Sequence, residues 1–319
     1  LYIQAKRKEY YERVKTGEGY AVTSAQYKKY QKLKSLYNHK KKCVIISNET
    51  FSHVKNIEEI RRFLDDTKIK IICYLRRQDY FLESYYNQTV KNGIFFRDIS
   101  EFNPSYGLDY YTFINRWASV FGKENIIVRP YEKGQLKNQN SIDDFLEILS
   151  IKHTNGFRTF YENPNPRLSP ETLCYMRHFN AIAANKKIAR LIRDPLMQYS
   201  FQKAKTSTGS IFYNQSILTP QQRLEIIQRY DSSNRRVAKE FLNRKDGILF
   251  YESLPEAAPH NMPAKCFTDQ SLAEITDYLL KKKRKQFLKV ITRILPENAD
   301  PFAVLSQQQL LKILFDKRF

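Results

Sequence analysis

The chain has 319 residues, 42% of them hydrophobic, which is enough to build a substantial core in one large domain or two smaller ones. Its formal net charge of +21 favours anionic partners such as nucleic acid, nucleotides, acidic glycans and anionic lipid. No apolar run in the sequence approaches the roughly 18 residues that a membrane-spanning helix needs, so a transmembrane segment is not expected.

Three short apolar runs predict buried strands at Cys43–Ser47, Lys68–Leu75 and Asn125–Tyr131. Amphipathic patterns between and after these runs predict helices over residues 57–64, 80–91, 110–121 and 142–149. The second and third of these helices are followed by Gly93 and Gly122, residues typical of helix ends. The alternation of strand and helix predicts an α/β fold with a parallel sheet flanked by helices.

The sequence predicts a domain boundary in the segment Tyr161–Pro170, which contains three prolines within seven residues. Beyond it the pattern is helical, and Ser169 and Thr219 each precede a proline in the manner of a helix N-cap. We therefore expect an α/β core over residues 1–160, a helical region over 161–254 and a basic helical extension over 255–319.

The four cysteines, Cys43, Cys73, Cys174 and Cys266, are far apart in the sequence. They form no CxxC pair and have no histidine at metal-ligand spacing, so the sequence predicts neither a zinc site nor a disulfide framework. Cys43 and Cys73 are expected in buried strands. Together with the lack of a secretory signal at the N-terminus, this pattern favours a reducing, cytoplasmic location.

A candidate phosphate site lies where the second apolar run ends. Arg76 follows Leu75, and the next helix is expected to begin near Asp79 and to turn Ser84 away from the interior of the sheet. Ligands of open parallel sheets bind where strands end and helices begin, so Arg76 and Ser84 can converge on one phosphate. Alternatively, Arg76 and Arg77 only end a strand, and Ser84 is an ordinary exposed residue.

The stretch Tyr74–Gln88, which reads YLRRQDYFLESYYNQ, resembles a motif of sulfotransferases that use 3′-phosphoadenosine 5′-phosphosulfate (PAPS). In that motif, which binds the 3′-phosphate of the donor, a strand-end arginine precedes a helical serine by eight residues. Arg76 and Ser84 keep this separation, and Arg77 is the less suitable match.

Further segments follow in the order typical of the bacterial carbohydrate sulfotransferase-like group, so that the resemblance covers about residues 43 to 255. They are VIISNETFSH, WASVFGKENIIVRPYEKGQL, DDFLEIL, NPRLSPETL and YDSSNRRVAKEFLNRKDGILF. The resemblance implies a P-loop-NTPase-like parallel sheet with a helical C-terminal region. It also implies PAPS as the donor, 3′,5′-adenosine bisphosphate as its product, no metal, and a carbohydrate acceptor, expected to be a polysaccharide that is itself anionic.

Two features of this group are poorly matched. A lysine-containing loop for the 5′-phosphosulfate has only a weak counterpart, Lys15–Gly19, which follows a charged segment, so we expect the true loop and its strand before Leu1. Glu49 matches the position of the catalytic base, although Thr50 stands where a lysine usually follows. His53 is the competing base because its ordinary pKa is closer to neutrality.

The sequence therefore predicts a PAPS-dependent carbohydrate sulfotransferase, with two alternatives. One is a non-catalytic protein of the same fold that binds a nucleotide or an acidic glycan, and the other is a basic nucleic-acid-binding protein. The sequence carries no recognisable nucleic-acid-binding motif, so no specific nucleic acid is expected, and the runs Lys40–Lys42 and Lys281–Lys285 are interpreted as solvated helix faces. A peripheral association with membranes is compatible with the charge.

Basic residues of the helical region are candidates to line a groove for an anionic glycan. They are Arg177, Lys186, Lys187, Arg190, Arg193, Arg235 and Arg236. The acceptor and the oligomeric state are not indicated by the sequence.

Overall fold

The computed structural model describes residues 45–47, 49–64, 68–103, 107–151, 167–182, 190–206, 217–254 and 268–291. Over this part of the chain the protein is mostly helical, with a small parallel sheet of two strands, β1 (Ile71–Leu75) and β2 (Ile126–Pro130). This is an α/β arrangement, as the sequence predicts; the P-loop-like topology remains a prediction.

The helices of the described ranges follow one another with short connections in several places. In chain order they are α1 (Ile57–Leu64), α2 (Gln78–Lys91), α3 (Tyr110–Phe121), α4 (Ser141–Ile148), α5 (Pro170–Ile182), α6 (Arg193–Thr206), α7 (Pro220–Arg229), α8 (Asp231–Leu242) and α9 (Asp269–Ile291). Short 3-10 turns occur at Glu49–His53, Ile99–Glu101, Lys123–Asn125, Lys133–Gln135 and Lys137–Gln139.

The local signals in the sequence locate most of these elements closely. Gly122 ends α3 with a φ of 86°, a left-handed conformation that favours glycine. Thr219 caps α7 through a capping box, because its side chain accepts from the Gln222 N–H while the Gln222 side chain accepts from the Thr219 N–H. The strands at 68–75 and 125–131 are confirmed, each slightly shorter than predicted.

The predicted strand Cys43–Ser47 is wrong over the residues that the structure describes. Ile45–Ser47 has no regular secondary structure, and Ile45 is 55% exposed. An apolar run becomes a strand only where a neighbouring strand satisfies its backbone groups, and the described sheet pairs β1 with β2 alone. Cys43 lies outside the described residues.

The chain divides into two compact units. Unit 1 comprises residues up to Ile72 together with Asp109–Ile127. Within it α1 packs on α3, Phe51 meets Trp117 edge to face at 6.1 Å, and Trp117 stacks on Phe121. Arg116 in α3 donates to the Val54 carbonyl at 2.8 Å, which fixes the segment before α1.

Unit 2 comprises Cys73–Leu108 and the chain from Val128 onwards, and it holds the larger core. The helix α2 packs on α5 and α7, while α5, α6 and α9 pack on one another. The apolar face of α2 contributes Leu82, Tyr86 and Val90 to this core. The predicted boundary at 160/161 falls outside the described residues and stays a prediction.

The expectation for the cysteines is wrong in one respect. Cys174 in α5 is disulfide-bonded, and Cys73 is not its partner because Cys73 is a free thiol. The sequence predicted no disulfide, but separation in sequence does not limit proximity in the fold. Cys73 lies in β1 as predicted but is only partly buried. The cytoplasmic location, which was inferred from the cysteines, stays a prediction without that support.

Candidate functional site

The carboxyl ends of β1 and β2 bring Arg76 and Tyr131 together in unit 2. Each residue directly follows its strand, and the Tyr131 N–H donates to the Leu75 carbonyl at 2.6 Å. The Arg76 guanidinium lies 5.9 Å from the centre of the Tyr131 ring, and Tyr131 is 44% exposed. A half-buried arginine beside an accessible aromatic face is suited to an anionic ligand that carries a ring.

Ser84 lies in the second turn of α2, as the sequence predicts. It is half-buried and shares one stripe of the helix with the half-buried Tyr80 and Gln88, whereas Leu82 and Tyr86 are buried. The strand end and helix that the phosphate hypothesis requires are therefore present. Convergence of the Arg76 guanidinium and the Ser84 hydroxyl on one phosphate stays a prediction.

Arg77, in contrast to Arg76, is a structural residue. Its side chain is 4% exposed and forms a two-pronged ion pair with Asp79, from Nε to Oδ1 at 2.9 Å and from NH2 to Oδ2 at 3.1 Å. Its NH1 also donates to the carbonyls of Glu252 and Ser253, both at 3.2 Å. With its donors committed to protein acceptors, Arg77 supports the site rather than binding a ligand.

Asp79 forms a second ion pair, with Arg223 of α7. Arg223 NH1 donates to Asp79 Oδ2 at 2.6 Å, and the centre of the Tyr80 ring lies 4.7 Å from the Arg77 guanidinium and 5.0 Å from that of Arg223. Burial alone would raise the pKa of Asp79, but hydrogen bonds and charge from Arg77 and Arg223 outweigh it, so the pKa is lower than ordinary. Asp79 is therefore ionised at neutral pH.

Glu83 completes this network one turn further along α2. Its Oε2 accepts from Arg223 NH2 at 2.7 Å, and its Oε1 accepts from the backbone N–H groups of Ile217 and Leu218 at 2.8 and 2.9 Å. Two buried carboxylates thus balance two buried guanidinium groups, Arg77 and Arg223. A balanced and fully hydrogen-bonded set of charges is the form in which buried ions are tolerated.

A chain segment around Tyr251 and Glu252 is held against both strand ends, by different groups. Glu132, buried just after β2, accepts from the backbone N–H groups of Tyr251 and Glu252 at 2.8 and 3.0 Å. Arg77, just after β1, donates to the backbone carbonyls that follow. The segment therefore borders the place where Arg76 and Tyr131 meet.

Asp144 of α4 forms hydrogen bonds with side chains of both strands of the sheet. The Tyr74 hydroxyl donates to Asp144 Oδ2 at 2.7 Å, and Arg129 Nε donates to the same oxygen at 3.0 Å. Burial and the hydrogen bond to Asp144 raise the pKa of Tyr74. Tyr74 is on β1 and Arg129 on β2, so one carboxylate fixes both strands relative to α4.

The two candidate bases, Glu49 and His53, begin and end a 3-10 turn in unit 1. His53 is exposed as a residue, while partial burial of its ring lowers its pKa below the ordinary value. A lowered pKa keeps the imidazole neutral at pH 7, the form that a base requires. Since Arg76 and Ser84 belong to unit 2, a crevice shared by all four residues stays a prediction.

The basic residues that were candidates for a glycan groove differ in their surroundings. Arg177 pairs with Asp98, Arg235 with Asp231, and Arg236 with Glu240. These contacts are ion pairs within the protein, which weakens the case for those three arginines. Lys186 and Lys187 lie outside the described residues, as does the run Lys40–Lys42. At the other basic run, Lys281 and Lys282 are exposed, as a solvated helix face predicts.

Sequence reasoning missed Tyr131 and Arg223. Tyr131 had a usable signal, because it follows an apolar run just as Arg76 does, and neighbouring parallel strands end side by side. The sequence indicates Arg223 only indirectly. Asp79 and Glu83 are spaced by four residues on a helix face that otherwise packs inward, so they require a basic partner.

In the described ranges, no group of three or more histidine, cysteine, aspartate or glutamate side chains is placed to hold a metal ion. None of the helices described there combines the length and hydropathy needed to span a bilayer.

Comparisons with known proteins leave the family open. No model of a known protein family matches the chain, and no solved structure matches it. It is 32% identical over 212 residues to a protein of the archaeon Archaeoglobus fulgidus whose description is "Uncharacterized protein". The match covers 66% of this chain but only 56% of that relative. The chain is thus similar to an archaeal protein over a region rather than over the relative's full length.

Proposed function

We propose that the protein is a PAPS-dependent sulfotransferase that acts on a hydroxyl group of a carbohydrate, with a polysaccharide as the acceptor. The observation that supports this most is the strand-end position of Arg76, half-buried and beside the exposed Tyr131 ring, with Ser84 two turns into the following helix. Arg76 would bind the 3′-phosphate with two of its guanidinium donors, and Ser84 would add a hydroxyl donor. Tyr131 offers a ring face near the same anion.

In the proposed reaction the acceptor hydroxyl oxygen attacks the sulfur of PAPS. A new S–O bond forms as the bond between sulfur and the bridging oxygen of the 5′-phosphate breaks, and 3′,5′-adenosine bisphosphate leaves with that electron pair. The hydroxyl proton passes to a base, for which Glu49 and His53 are the candidates. This chemistry needs no metal, because positive side chains can stabilise the charge that develops on the leaving phosphate.

Nucleotide binding tests the donor assignment directly. We expect 3′,5′-adenosine bisphosphate to raise the Tm of the 319-residue chain, since a ligand at 100 times its Kd adds about 2.7 kcal/mol to the stability of the folded state. Adenosine 5′-monophosphate, which lacks the 3′-phosphate, should stabilise the chain much less.

Variants at the motif give the matched comparison. Arg76→Ala should weaken 3′,5′-adenosine bisphosphate binding about 10-fold to 100-fold, because a hydrogen bond to a charged group contributes roughly 1.5–3 kcal/mol. Ser84→Ala should weaken it less, and Arg235→Ala, a control at an exposed ion pair, not at all. Equal binding of the two nucleotides by the unmodified chain would reject the assignment.

The non-catalytic alternative is distinguished by turnover. If the chain binds 3′,5′-adenosine bisphosphate through Arg76 but does not consume PAPS with any of a panel of anionic polysaccharides, binding without catalysis is the function. If it does turn over, Glu49→Gln and His53→Gln identify the base, because only the variant lacking the base should lower kcat by about 100-fold or more.

A further inference from the structure

Tyr251 is an exposed residue whose backbone and side chain are both held in place. It is 53% exposed, yet its backbone N–H donates to the buried Glu132 carboxylate at 2.8 Å, and its hydroxyl donates to Asp246 Oδ2 at 2.9 Å. The Arg244 guanidinium lies over one face of the ring, 4.9 Å from its centre. The protein therefore fixes the backbone, the hydroxyl and one face of this residue, and an aromatic surface stays accessible.

The arginine that supports the ring is itself bound by protein acceptors. Arg244 NH1 donates to the carbonyls of Ile248 and Leu249 at 2.9 and 3.0 Å, and its NH2 donates to Gln135 Oε1 at 2.6 Å. Gln135 Nε2 also donates to the Leu249 carbonyl at 3.1 Å. These bonds hold the guanidinium against the Tyr251 ring. Support of one side chain by another whose own position is fixed is typical of a binding residue.

A lysine from α8 crosses the turn next to this ring. Gly247 has a φ of 69°, a left-handed conformation that favours glycine, and a Cβ atom at this position would lie 3.0 Å from Lys239 Cε. Lys239 is exposed. Its side chain therefore runs over the turn whose Asp246 accepts from the Tyr251 hydroxyl, and it provides a hydrogen-bond donor there.

The charges near the ring favour a sugar over a nucleic acid. Acidic groups are close to Tyr251, because its hydroxyl donates to Asp246 and the exposed Glu252 is the next residue. A phosphate backbone is bound by clustered cations, and carboxylates beside the ring oppose it. A sugar, by contrast, carries hydroxyl groups that can donate to carboxylates and accept from lysine. One face of its ring is formed by C–H groups, which can pack on an aromatic surface.

We propose that Tyr251 and Lys239 form a subsite for one pyranose ring of a glycan, which stacks on the accessible part of the Tyr251 ring and has a hydroxyl group at Lys239. The identification of this glycan as the acceptor rests on the proposed function. Sugar binding itself depends only on the fixed ring and the polar groups around it.

The subsite is adjacent to the proposed donor site but separate from it. Glu132, which accepts from the Tyr251 N–H, directly follows Tyr131, the residue beside Arg76. The backbone of Glu132 is extended, and neighbouring side chains of an extended segment point to opposite sides. The Tyr251 amide therefore lies on the side of this segment away from the Tyr131 ring. This arrangement suits a sugar unit next to the one that is sulfated.

The test measures binding of three probes to the 319-residue chain by isothermal titration at physiological ionic strength. They are maltohexaose, a hexasaccharide of alternating glucuronate and N-acetylglucosamine, and a single-stranded hexanucleotide of DNA. We expect at least one hexasaccharide to bind, and Tyr251→Ala to weaken its binding about tenfold. Tyr251→Phe keeps the ring but loses the hydrogen bond to Asp246, so it should weaken binding only about threefold.

Matched variants elsewhere supply the controls. Phe201→Ala removes an aromatic ring from a residue of α6 that is 47% exposed, and it should leave hexasaccharide binding unchanged. Lys239→Met should weaken binding about fivefold, whereas Lys281→Met, at a side chain that is 74% exposed, should not weaken it. If Tyr251→Ala fails to fold, Tyr251→Leu decides, because leucine keeps apolar bulk without a flat face.

The outcomes separate the subsite from the donor assignment. Absence of binding by both hexasaccharides, or equal binding by the parent and Tyr251→Ala, overturns the subsite. A loss in Tyr251→Ala that is confined to the DNA probe also overturns it. Binding of 3′,5′-adenosine bisphosphate should be unchanged in Tyr251→Ala. If the parent binds a hexasaccharide through Tyr251 but does not bind this nucleotide, the subsite stands and the proposed sulfotransferase function fails.

Discussion

Both ends of α2 contain buried basic side chains, and the described contacts of these side chains differ. At the amino end, Arg77 and Arg223 are buried against Asp79 and Glu83, and each carboxylate is ion-paired. At the carboxyl end, Lys91 is buried, and burial together with the charges of Arg193 and Arg167 lowers its pKa. Burial of a cation is therefore not by itself a sign of function. Its pairing with a buried carboxylate and with two backbone carbonyls is what marks Arg77 as a structural residue.

Among substitutions at the amino end of α2, Asp79→Asn should lower the free energy of unfolding most. The substitution preserves shape but leaves two buried guanidinium groups with one carboxylate, so the free energy of unfolding should fall by about 3–5 kcal/mol. Urea denaturation measures this. Asp194→Asn, at an exposed ion pair, is the matched control and should cost less than about 1 kcal/mol. A comparable small loss in both variants would mean that the amino-end network is not stabilising.

Acid should weaken the same network in a predictable direction. The folded pKa of Asp79 is lowered, so its contribution to stability is fully present above the unfolded pKa of about 4 and is lost as the pH falls towards the folded value. The stability difference between the unmodified chain and Asp79→Asn should therefore narrow below about pH 4. Denaturation of both proteins from pH 6 to pH 2 tests this, and a constant difference would contradict it.

Glu83→Gln should have an intermediate effect. The amide oxygen can still accept from the Ile217 and Leu218 N–H groups, but the amide nitrogen then faces Arg223 NH2, with which it cannot form a hydrogen bond. We expect a loss of about 1–3 kcal/mol by urea denaturation. Glu225→Gln, at an exposed carboxylate of α7, removes the same charge and should change stability little. A Glu83→Gln protein as stable as the parent would show that the backbone contacts alone hold this residue.

Arg76→Ala should change stability least, by at most about 1 kcal/mol, because Arg76 is half-buried and its cation–π contact is with a ring that is 44% exposed. Arg77→Ala, one residue away, removes a buried ion pair and should cost several times more. Comparison of the two variants therefore tests whether Arg76, unlike Arg77, contributes little to the stability of the fold. A large loss in Arg76→Ala would place it with Arg77 and weaken its use as a binding probe.

The sequence predicts this fold best where a signal is local. The ends of α2 and α3 at Gly93 and Gly122 and the cap of α7 at Thr219 follow from neighbouring residues, and the structure confirms them. Ile45–Ser47 shows the limit of such reasoning, because an apolar run does not specify a partner strand. Pairing is a property of the fold and not of the segment.

The candidate site, like the fold, was predicted where the signal is local and missed where the contact is long-range. Arg76 and Ser84 occupy the strand end and helix turn that their sequence context predicts. The sequence distinguished Arg77 from Arg76 only by spacing. Asp79, the partner of Arg77, also pairs with Arg223, which is 144 residues away from it in the chain. The network around Arg77 and Asp79 therefore includes a long-range contact that a local pattern does not contain.

Glu132 and Arg77 hold residues 251–253 through the main chain. Glu132 accepts from two amide N–H groups, and Arg77 donates to two carbonyl oxygens, so neither clamp depends on which side chains these positions carry. All three side chains are exposed, but the Tyr251 hydroxyl also donates to Asp246 Oδ2 at 2.9 Å, and its ring centre lies 4.9 Å from the Arg244 guanidinium. Substitutions at Glu252 and Ser253 should therefore change the surface that this edge presents while the loop keeps its course.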